Sequence, residues 1–336
     1  MSQKVLLTGG AGFIGSHTYI ELIKAGFDVV ILDNFSNARP DVIDRLEVIT
    51  ASPVTCYKGD VLDGALLDQI FAEHKIDAAI HFAALKAVGE SADIPLEYMN
   101  TNIAGLYSLL RAMDRAGTSA LVFSSSATVY GQPDQLPVPE NAPRSYTSPY
   151  GFTKLACEQS LEQVAASDSK WAFGILRYFN PAGAHDSALI GEDPSDIPNN
   201  LMPYIAKVAT GELTELAVFG GDYDTPDGTG VRDYIHVMDL ARGHVLSVKA
   251  LLETGQCHTV NLGTGIGYSV LDMLHAYARA AEKPLPHRIA PRRLGDVASV
   301  YADPTQARDL LGFTAELGLD EMCTSSWNWV SRRKNT

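Results

Sequence analysis

Residues 5–15, Val5-Leu6-Leu7-Thr8-Gly9-Gly10-Ala11-Gly12-Phe13-Ile14-Gly15, decide the fold. The aliphatic run Val5 to Leu7 predicts a buried strand, and the spacing from Phe13 to Lys24 predicts a helix directly behind it. Between them Gly9, Gly12 and Gly15 are spaced GxxGxxG. A turn this tight needs backbone angles that only glycine adopts freely, a pyrophosphate must approach bare N–H groups, and the helix must pack close to the strand. The turn therefore predicts a dinucleotide site touching Gly9, Gly12, Phe13, Ile14 and Gly15. Asp33 follows Gly15 by 18 residues, at the end of a second predicted strand. Without the glycine turn it would read as a solvated strand-end carboxylate. With it, Asp33 would accept both hydroxyls of an adenosine ribose and repel a 2′-phosphate, which favours NAD over NADP. Asn34 is expected beside it, Asp60 and Val61 near the adenine, and Phe82, Ala83, Ala84 and Lys86 at the end of the fourth strand, where such sheets place their ligand.

Working outward, short buried runs alternate with helical spacing. Val5–Leu7, Val29–Leu32, Val54–Tyr57, Ala78–Phe82, Leu121–Ser124 and Phe173–Tyr178 read as strands. That rhythm predicts an α/β fold with a doubly wound parallel sheet, an NAD-binding Rossmann domain over residues 1–180. After Asn180, Pro- and Gly-rich connections mark a second, smaller, mixed α/β region over 181–336, with segments free to interleave with the first. Its helices are predicted at Leu201–Thr210, Met238–Leu252, Ser269–Ala281, Pro304–Leu311 and Leu319–Val330.

Composition narrows the function classes. The 336 residues carry a formal charge of −14 and are 46% hydrophobic, so global disorder is excluded and a phosphate backbone or anionic membrane would be repelled. No Lys/Arg run offers a nucleic-acid site, and no apolar stretch is long enough to cross a membrane. Four widely spaced cysteines, with no CxxC pair, suggest neither zinc nor disulfides and fit a reducing cytoplasm. The nine histidines form no ligand-spaced pair, so no metal is expected; His81 and His236 read as structural, and Trp327 and Trp329 as packing.

The chemistry is expected after the fifth strand. Ser124, Ser125 and Ser126 end it, Tyr150 lies 24 residues past Ser126, and Lys154 lies four beyond Tyr150. Residues four apart face the same way on a helix, so the pair can point together into a site at the sheet edge. Populating a phenolate at neutral pH needs a shift of about three units, roughly 4 kcal/mol. The Lys154 ammonium and a nicotinamide cation are expected to supply it.

Together with the glycine turn, several motifs carry a resemblance over residues 3 to about 330. They are Ser124-Ser125-Ser126-Ala127-Thr128-Val129-Tyr130-Gly131, Tyr150 with Lys154, Arg177-Tyr178-Phe179-Asn180, Pro198-Asn199-Asn200-Leu201-Met202-Pro203 and Gly230-Val231-Arg232-Asp233-Tyr234-Ile235-His236. On these the chain resembles the nucleotide-sugar epimerase branch of the extended short-chain dehydrogenase/reductase family. The resemblance implies reversible C4 epimerisation of UDP-glucose and UDP-galactose through a 4-keto sugar, with a tightly held NAD and no net redox. It implies catalytic roles for Tyr150 as base, Ser126 in the proton path and Lys154 on the nicotinamide ribose. Ser124 and Phe179 would lie against the cofactor.

By the same resemblance the second region binds the UDP-hexose. Lys86, Ser126, Tyr150, Asn180, Asn199, Asn200, Leu201, Ala217, Phe219, Arg232, Arg293, Asp296 and Val300 would line that site. The two arginines would grip the diphosphate and Asp296 the uridine ribose. Val300 stands where hexose-restricted relatives resemble one another in carrying a bulky Tyr, which predicts that UDP-N-acetylglucosamine and UDP-N-acetylgalactosamine also fit; a one-residue bulge would instead bring Tyr301 into that space. The resemblance further implies a homodimer built on the helices around Leu96 to Ala116 and from Tyr150 onward. One rival is a nucleotide-sugar 4,6-dehydratase, whose Asp-Glu pair is replaced here by Ala127 and Thr128. The other is a non-catalytic NAD-sensing regulator, which needs no catalytic Tyr.

Overall fold

The computed structural model describes residues 2–193, 200–293 and 296–334. Seven parallel strands form its main sheet. In chain order they are Lys4–Thr8, Asp28–Asp33, Thr55–Lys58, Ala78–His81, Ala120–Ser126, Ala172–Tyr178 and His258–Leu262. Across the sheet the last of these lies at one edge, followed by the sixth, fifth, fourth, first, second and third. The order reverses at the first strand, whose neighbours are the second and fourth, and a cleft at the strands' carboxyl ends is the geometric result.

Both faces of the sheet are covered, which is why its strands read as unbroken apolar runs. On one face Val5, Leu7, Val29 and Ile31 pack with Tyr19, Ile20 and Leu22 of the helix Phe13–Lys24 and Leu240, Val245 and Val248 of the helix Val237–Thr254. On the other, Leu6, Val30, Leu121 and Phe173 meet Leu67 of the helix Gly64–Glu73, Leu109 and Met113 of the helix Gly105–Ala116 and Leu161 of the helix Pro149–Ser167. That last helix starts cleanly: Ser148 caps it, accepting from the Gly151 N–H at 3.1 Å, and Pro149 occupies its first turn.

The six expected strands are present, with ends moved by one or two residues. A seventh, His258–Leu262, was not expected, because the half-buried His258 and Thr259 and the buried Asn261 interrupt the apolar pattern. It and the helix Val237–Thr254 lie beyond residue 180 and yet belong to the main sheet's layers, so the chain interleaves its two parts there. The expected continuous helix around Leu96 to Ala116 changes pitch: a π-helical turn, Met99–Ala104, separates Pro95–Tyr98 from Gly105–Ala116.

The second lobe packs the helices Leu201–Thr210, Val270–Ala280 and Leu319–Lys334 around Met202, Ile205, Met273, Tyr277 and Met322. Ser269 and Asp272 form a reciprocal cap at the start of the second of these. Asn180–Ala182 pairs with Val231–His236, which also pairs with Gly267–Ser269 and Ser299–Val300; Leu216–Phe219 pairs with His287–Ala290. Trp327 stacks edge-on to Tyr277, and Trp329 is buried beneath the guanidinium groups of Arg45 and Arg333. The four cysteines carry free thiols. Among the described residues no helix is long and apolar enough to cross a membrane.

Candidate active site

The glycine turn is shaped by close approach of backbone to backbone. Gly9 has φ +72°, and a Cβ there would stand 2.6 Å from the Ala83 nitrogen. A Cβ on Gly15 would stand 2.5 Å from the Gly9 carbonyl oxygen. Neither position tolerates a side chain without moving main chain. Gly12 opens the helix Phe13–Lys24 with no side-chain cap, so the first N–H groups of that helix are directed at the cleft without a competing acceptor from the cap.

That cleft, about 330 Å³, runs along the carboxyl ends of the first, second, fourth, fifth and sixth strands. It is lined by every residue expected at the cofactor: Gly9, Gly12, Phe13, Ile14, Gly15, Asp33, Asn34, Asp60, Val61, Phe82, Ala83, Ala84, Lys86, Ser124, Ser126, Tyr150, Lys154 and Phe179. Asp33 accepts from the Ala11 N–H at 2.9 Å and the Phe35 N–H at 2.8 Å, which fixes its carboxylate and leaves further lone pairs for a diol. Burial holds its carboxyl above the ordinary carboxylate range. Asn34 donates to Asp60 at 2.8 Å, tying the ends of the second and third strands together. A turn closed to side chains, an uncapped helix start and a fixed acceptor at the second strand fit a dinucleotide's pyrophosphate and adenosine ribose.

At the other end of the cleft, Tyr150 and Lys154 project from the first turns of the helix Pro149–Ser167 toward the fifth strand. The Lys154 Nζ donates to the Ser124 carbonyl at 2.6 Å and stands 5.9 Å from the centre of the Tyr150 ring. Burial lowers Lys154 to about 8, against the opposing pull of Cys157 and Glu158. The Tyr150 phenol is pushed up to about 12 by burial, with a hydrogen bond to Ser126 acting the other way. The expected depression of Tyr150 by Lys154 is thus not a property of the protein groups alone: the ammonium is engaged by a backbone carbonyl and displaced from the phenol. Ser126 also accepts from the Thr128 N–H at 3.2 Å.

Sequence reasoning missed the scaffold behind this edge. Glu158 and Arg177 are buried and paired in a fork, with 3.0 and 2.8 Å bonds, and the Ser125 hydroxyl donates to the same carboxylate at 2.5 Å. Burial opposes the Arg177 charge, and Glu158 more than offsets it, so the guanidinium lies above its ordinary value. Arg177 continues to the Tyr130 hydroxyl at 2.9 Å, which donates to Asn261 at 2.6 Å. Asn102, in the π-helical turn, clamps both Leu85 backbone groups at 2.8 and 3.0 Å and donates to Thr153 at 3.0 Å, fixing the loop that carries Ala84 and Lys86. No sequence spacing announces Asn102, Tyr130 or Arg177, since each acts through a partner distant in the chain; for Glu158 the i to i+4 step from Lys154 was the available signal.

Of the residues expected at the sugar nucleotide, Lys86, Ser126, Tyr150, Asn180 and Asn200 line the cleft. Leu201, Ala217, Phe219, Arg232, Arg293, Asp296 and Val300 do not; they lie on the second lobe, and Asn199 lies outside the described residues. Ala217 and Phe219 share one strand, the Arg293 guanidinium covers the Phe219 ring at 4.9 Å, and Arg293 pairs with Asp296 at 2.9 Å. Arg232 is held by the Val231 carbonyl at 2.9 Å, and Val300 lies opposite it in the strand register. His81 bonds Thr8 at 2.7 Å and His236 caps a helix through Met238, both structural uses. Among the described residues no grouping of three His, Cys, Asp or Glu side chains is arranged to hold a metal ion.

A doubly wound sheet with a glycine turn and a Ser, Tyr and Lys set at its carboxyl edge defines an extended short-chain dehydrogenase/reductase. The family model described as GDP-mannose 4,6 dehydratase matches residues 6–326. The chain is 52% identical over 331 residues to UDP-glucose 4-epimerase of Bacillus subtilis (strain 168), covering 98% of each. It is similar, at TM-score 0.94 and 52% identity over 99% of both chains, to the crystal structure of UDP-glucose 4-epimerase from Bifidobacterium longum in complex with NAD+ and UDP. The UDP-glucose-4-epimerase from Stenotrophomonas maltophila, with bound NAD and formylated UDP-arabinopyranose, aligns at TM-score 0.97 and 49% identity over 99% of both chains. The chain belongs to the UDP-glucose 4-epimerase family.

Proposed function

We propose that this protein interconverts UDP-glucose and UDP-galactose by reversible inversion at C4 with a bound NAD. The observation that carries the reading is the placement of Tyr150, Lys154 and Ser126 in the same cleft as the glycine turn and Asp33. When bound, NAD would supply the hydride acceptor for C4 and the hydride donor for the resulting 4-keto sugar, so nothing would be oxidised overall. The protein's part is protons and position. The Tyr150 oxygen takes the C4 hydroxyl proton and gives it back, Ser126 hydrogen-bonds that oxygen, and Lys154 moves from the Ser124 carbonyl to orient the nicotinamide ribose. Burial holds Tyr150 at about 12 in the protein alone, so the positive charge of a bound nicotinamide would act with the Lys154 ammonium to bring the phenol down.

Arg232 and Arg293 grip the diphosphate and Asp296 the uridine ribose, which leaves the hexose free to turn over between the two hydride transfers. Arg293 exchanges Asp296 for phosphate oxygens in that step. Val300 packs among Val129, Tyr130, Phe179 and Ala302, whereas the adjacent Tyr301 ring turns toward Gly267. The small side chain supports acceptance of the N-acetylated UDP-hexoses as well. The protein works as a cytoplasmic homodimer in this reading, through the face where Leu96 and Tyr107 are exposed and Tyr107 bonds Ser160 at 2.8 Å. Ala127 and Thr128 supply no carboxylate for a dehydration at C5 and C6.

The test is incubation of the purified protein with UDP-galactose without added NAD, followed by separation of the two UDP-hexoses. Approach to one mixture from either sugar, at unchanged mass and with no net NADH, is expected. Loss of water from the product, or no conversion with NAD supplied, overturns the reading.

A further inference from the structure

Glu192 has no part in the mechanism above, yet it sits where the two lobes meet. It follows a turn closed by the His185 N–H on the Ile190 carbonyl at 3.2 Å, and that turn is seated on Trp329: a Cβ on Gly191 would come within 2.5 Å of the indole. The position is therefore fixed by packing. Its side chain is 9% exposed. One carboxylate oxygen accepts from the Asn200 amide at 2.6 Å and stands 3.6 Å from the Lys86 Nζ. Lys86 belongs to the loop after the fourth strand and Asn200 to the second lobe, and both line the cleft. Asn200 is the N-cap residue of the helix Leu201–Thr210 but makes no side-chain cap bond; Glu192 has its amide instead.

The other charges around Glu192 are matched among themselves. Asp193 takes Arg39 at 3.0 Å and Arg333 at 2.5 Å, and Asp41 takes Arg45 at 2.5 Å. Glu192 thus stands behind the cleft wall as a largely buried carboxylate, holding one cation and one amide donor that themselves line the cleft. We propose that Glu192 is a positioning residue that holds Lys86 and Asn200 as an internal counter-anion and yields them to the diphosphate of an incoming UDP-hexose. This inference rests on the reaction proposed above. Burial keeps the Glu192 carboxyl above its ordinary range, with Lys86 opposing, so its competing charge is lost early as pH falls.

The experiment compares the wild-type holoenzyme with Glu192→Gln, which keeps an acceptor for Asn200 and removes the charge, using UDP-galactose from pH 5.5 to 8. At pH 8 the variant should show a KM about three- to tenfold lower with kcat within about twofold. The wild-type KM should fall as pH drops, a measurement that needs no variant, while the variant's KM stays flat. NAD retained after gel filtration should be equal in both. A KM that is unchanged or higher in the variant, an equal pH dependence in both proteins, or a change confined to NAD retention overturns the inference while leaving the proposed reaction standing. Absence of turnover by the wild-type protein overturns both.

Discussion

Arg177→Met removes one partner of the buried fork behind the serines and leaves Glu158 inside the protein. The carboxylate would keep Ser125 at 2.5 Å and Arg144 at 3.3 Å, of which Arg144 is partly exposed and supplies a single bond. Breaking a buried ion pair on one side costs about 3–5 kcal/mol, because the surviving charge is desolvated and undercompensated. For 336 residues the entropy of unfolding is about 0.7 kcal/mol per kelvin, so the midpoint of thermal unfolding should fall by about 4–7 °C. Circular dichroism on the holoenzyme measures it. The companion variant Arg177→Met with Glu158→Leu removes both charges and should recover at least half of the loss. A single-variant shift under about 1.5 °C, or a double variant as unstable as the single one, would refute the assignment of the pair as a desolvated unit.

Four further outcomes follow from the geometry. Gly15→Ala, whose Cβ would meet the Gly9 carbonyl at 2.5 Å, should purify with its NAD lost and regain little activity at saturating cofactor, as absorbance and turnover together will show. Tyr150→Phe should lower kcat by about 10²–10⁴ with KM for UDP-galactose changed little. Burial holds His17, His81 and His244 at about 3 and His236 at about 4, so these are neutral when folded and take up protons when unfolded. The stability they permit is present above pH 6.5 and is lost as pH falls toward 4, by about 1.4 kcal/mol per pH unit for each histidine; urea midpoints at pH 7 and 5 should differ less in His17→Phe than in the wild type. Val300→Tyr should abolish turnover of UDP-N-acetylgalactosamine while sparing UDP-galactose, read by the same chromatographic assay.

The sheet was legible because its strands are buried on both faces and its glycines serve one backbone geometry. Tyr150 and Lys154 were legible because a helix converts a spacing of four into a shared direction. What escaped the sequence depends on partners far apart in the chain. His258–Leu262 has only Val260 and Leu262 as apolar residues, since His258 bonds Ser247 and Asn261 bonds Tyr130 rather than adding to a continuous apolar run. Spacing puts Lys154 on the same face as Tyr150 but does not reveal the partner its ammonium takes in the protein alone, the Ser124 carbonyl, which belongs to the neighbouring strand. Glu192 gives no signal in sequence, as its contact with Lys86 joins residues distant in the chain and its contact with Asn200 follows no regular spacing.

The interleaving of the two lobes bears on how the cleft works. The chain leaves the main sheet after Tyr178, returns with Val237–Thr254 and His258–Leu262, leaves again, and comes back with Thr305–Leu311 before ending in the second lobe. Several separate crossings thus tether the lobes, and no single linker can act as a hinge about which one swings away from the other. A fragment ending at residue 180 would expose the edge of Ala172–Tyr178 to chance pairing with other chains, so neither lobe can be borrowed whole by another protein. Within the intact molecule any change in the separation of the cleft walls has to bend all of these crossings together, so the lobes are coupled at several points rather than at one.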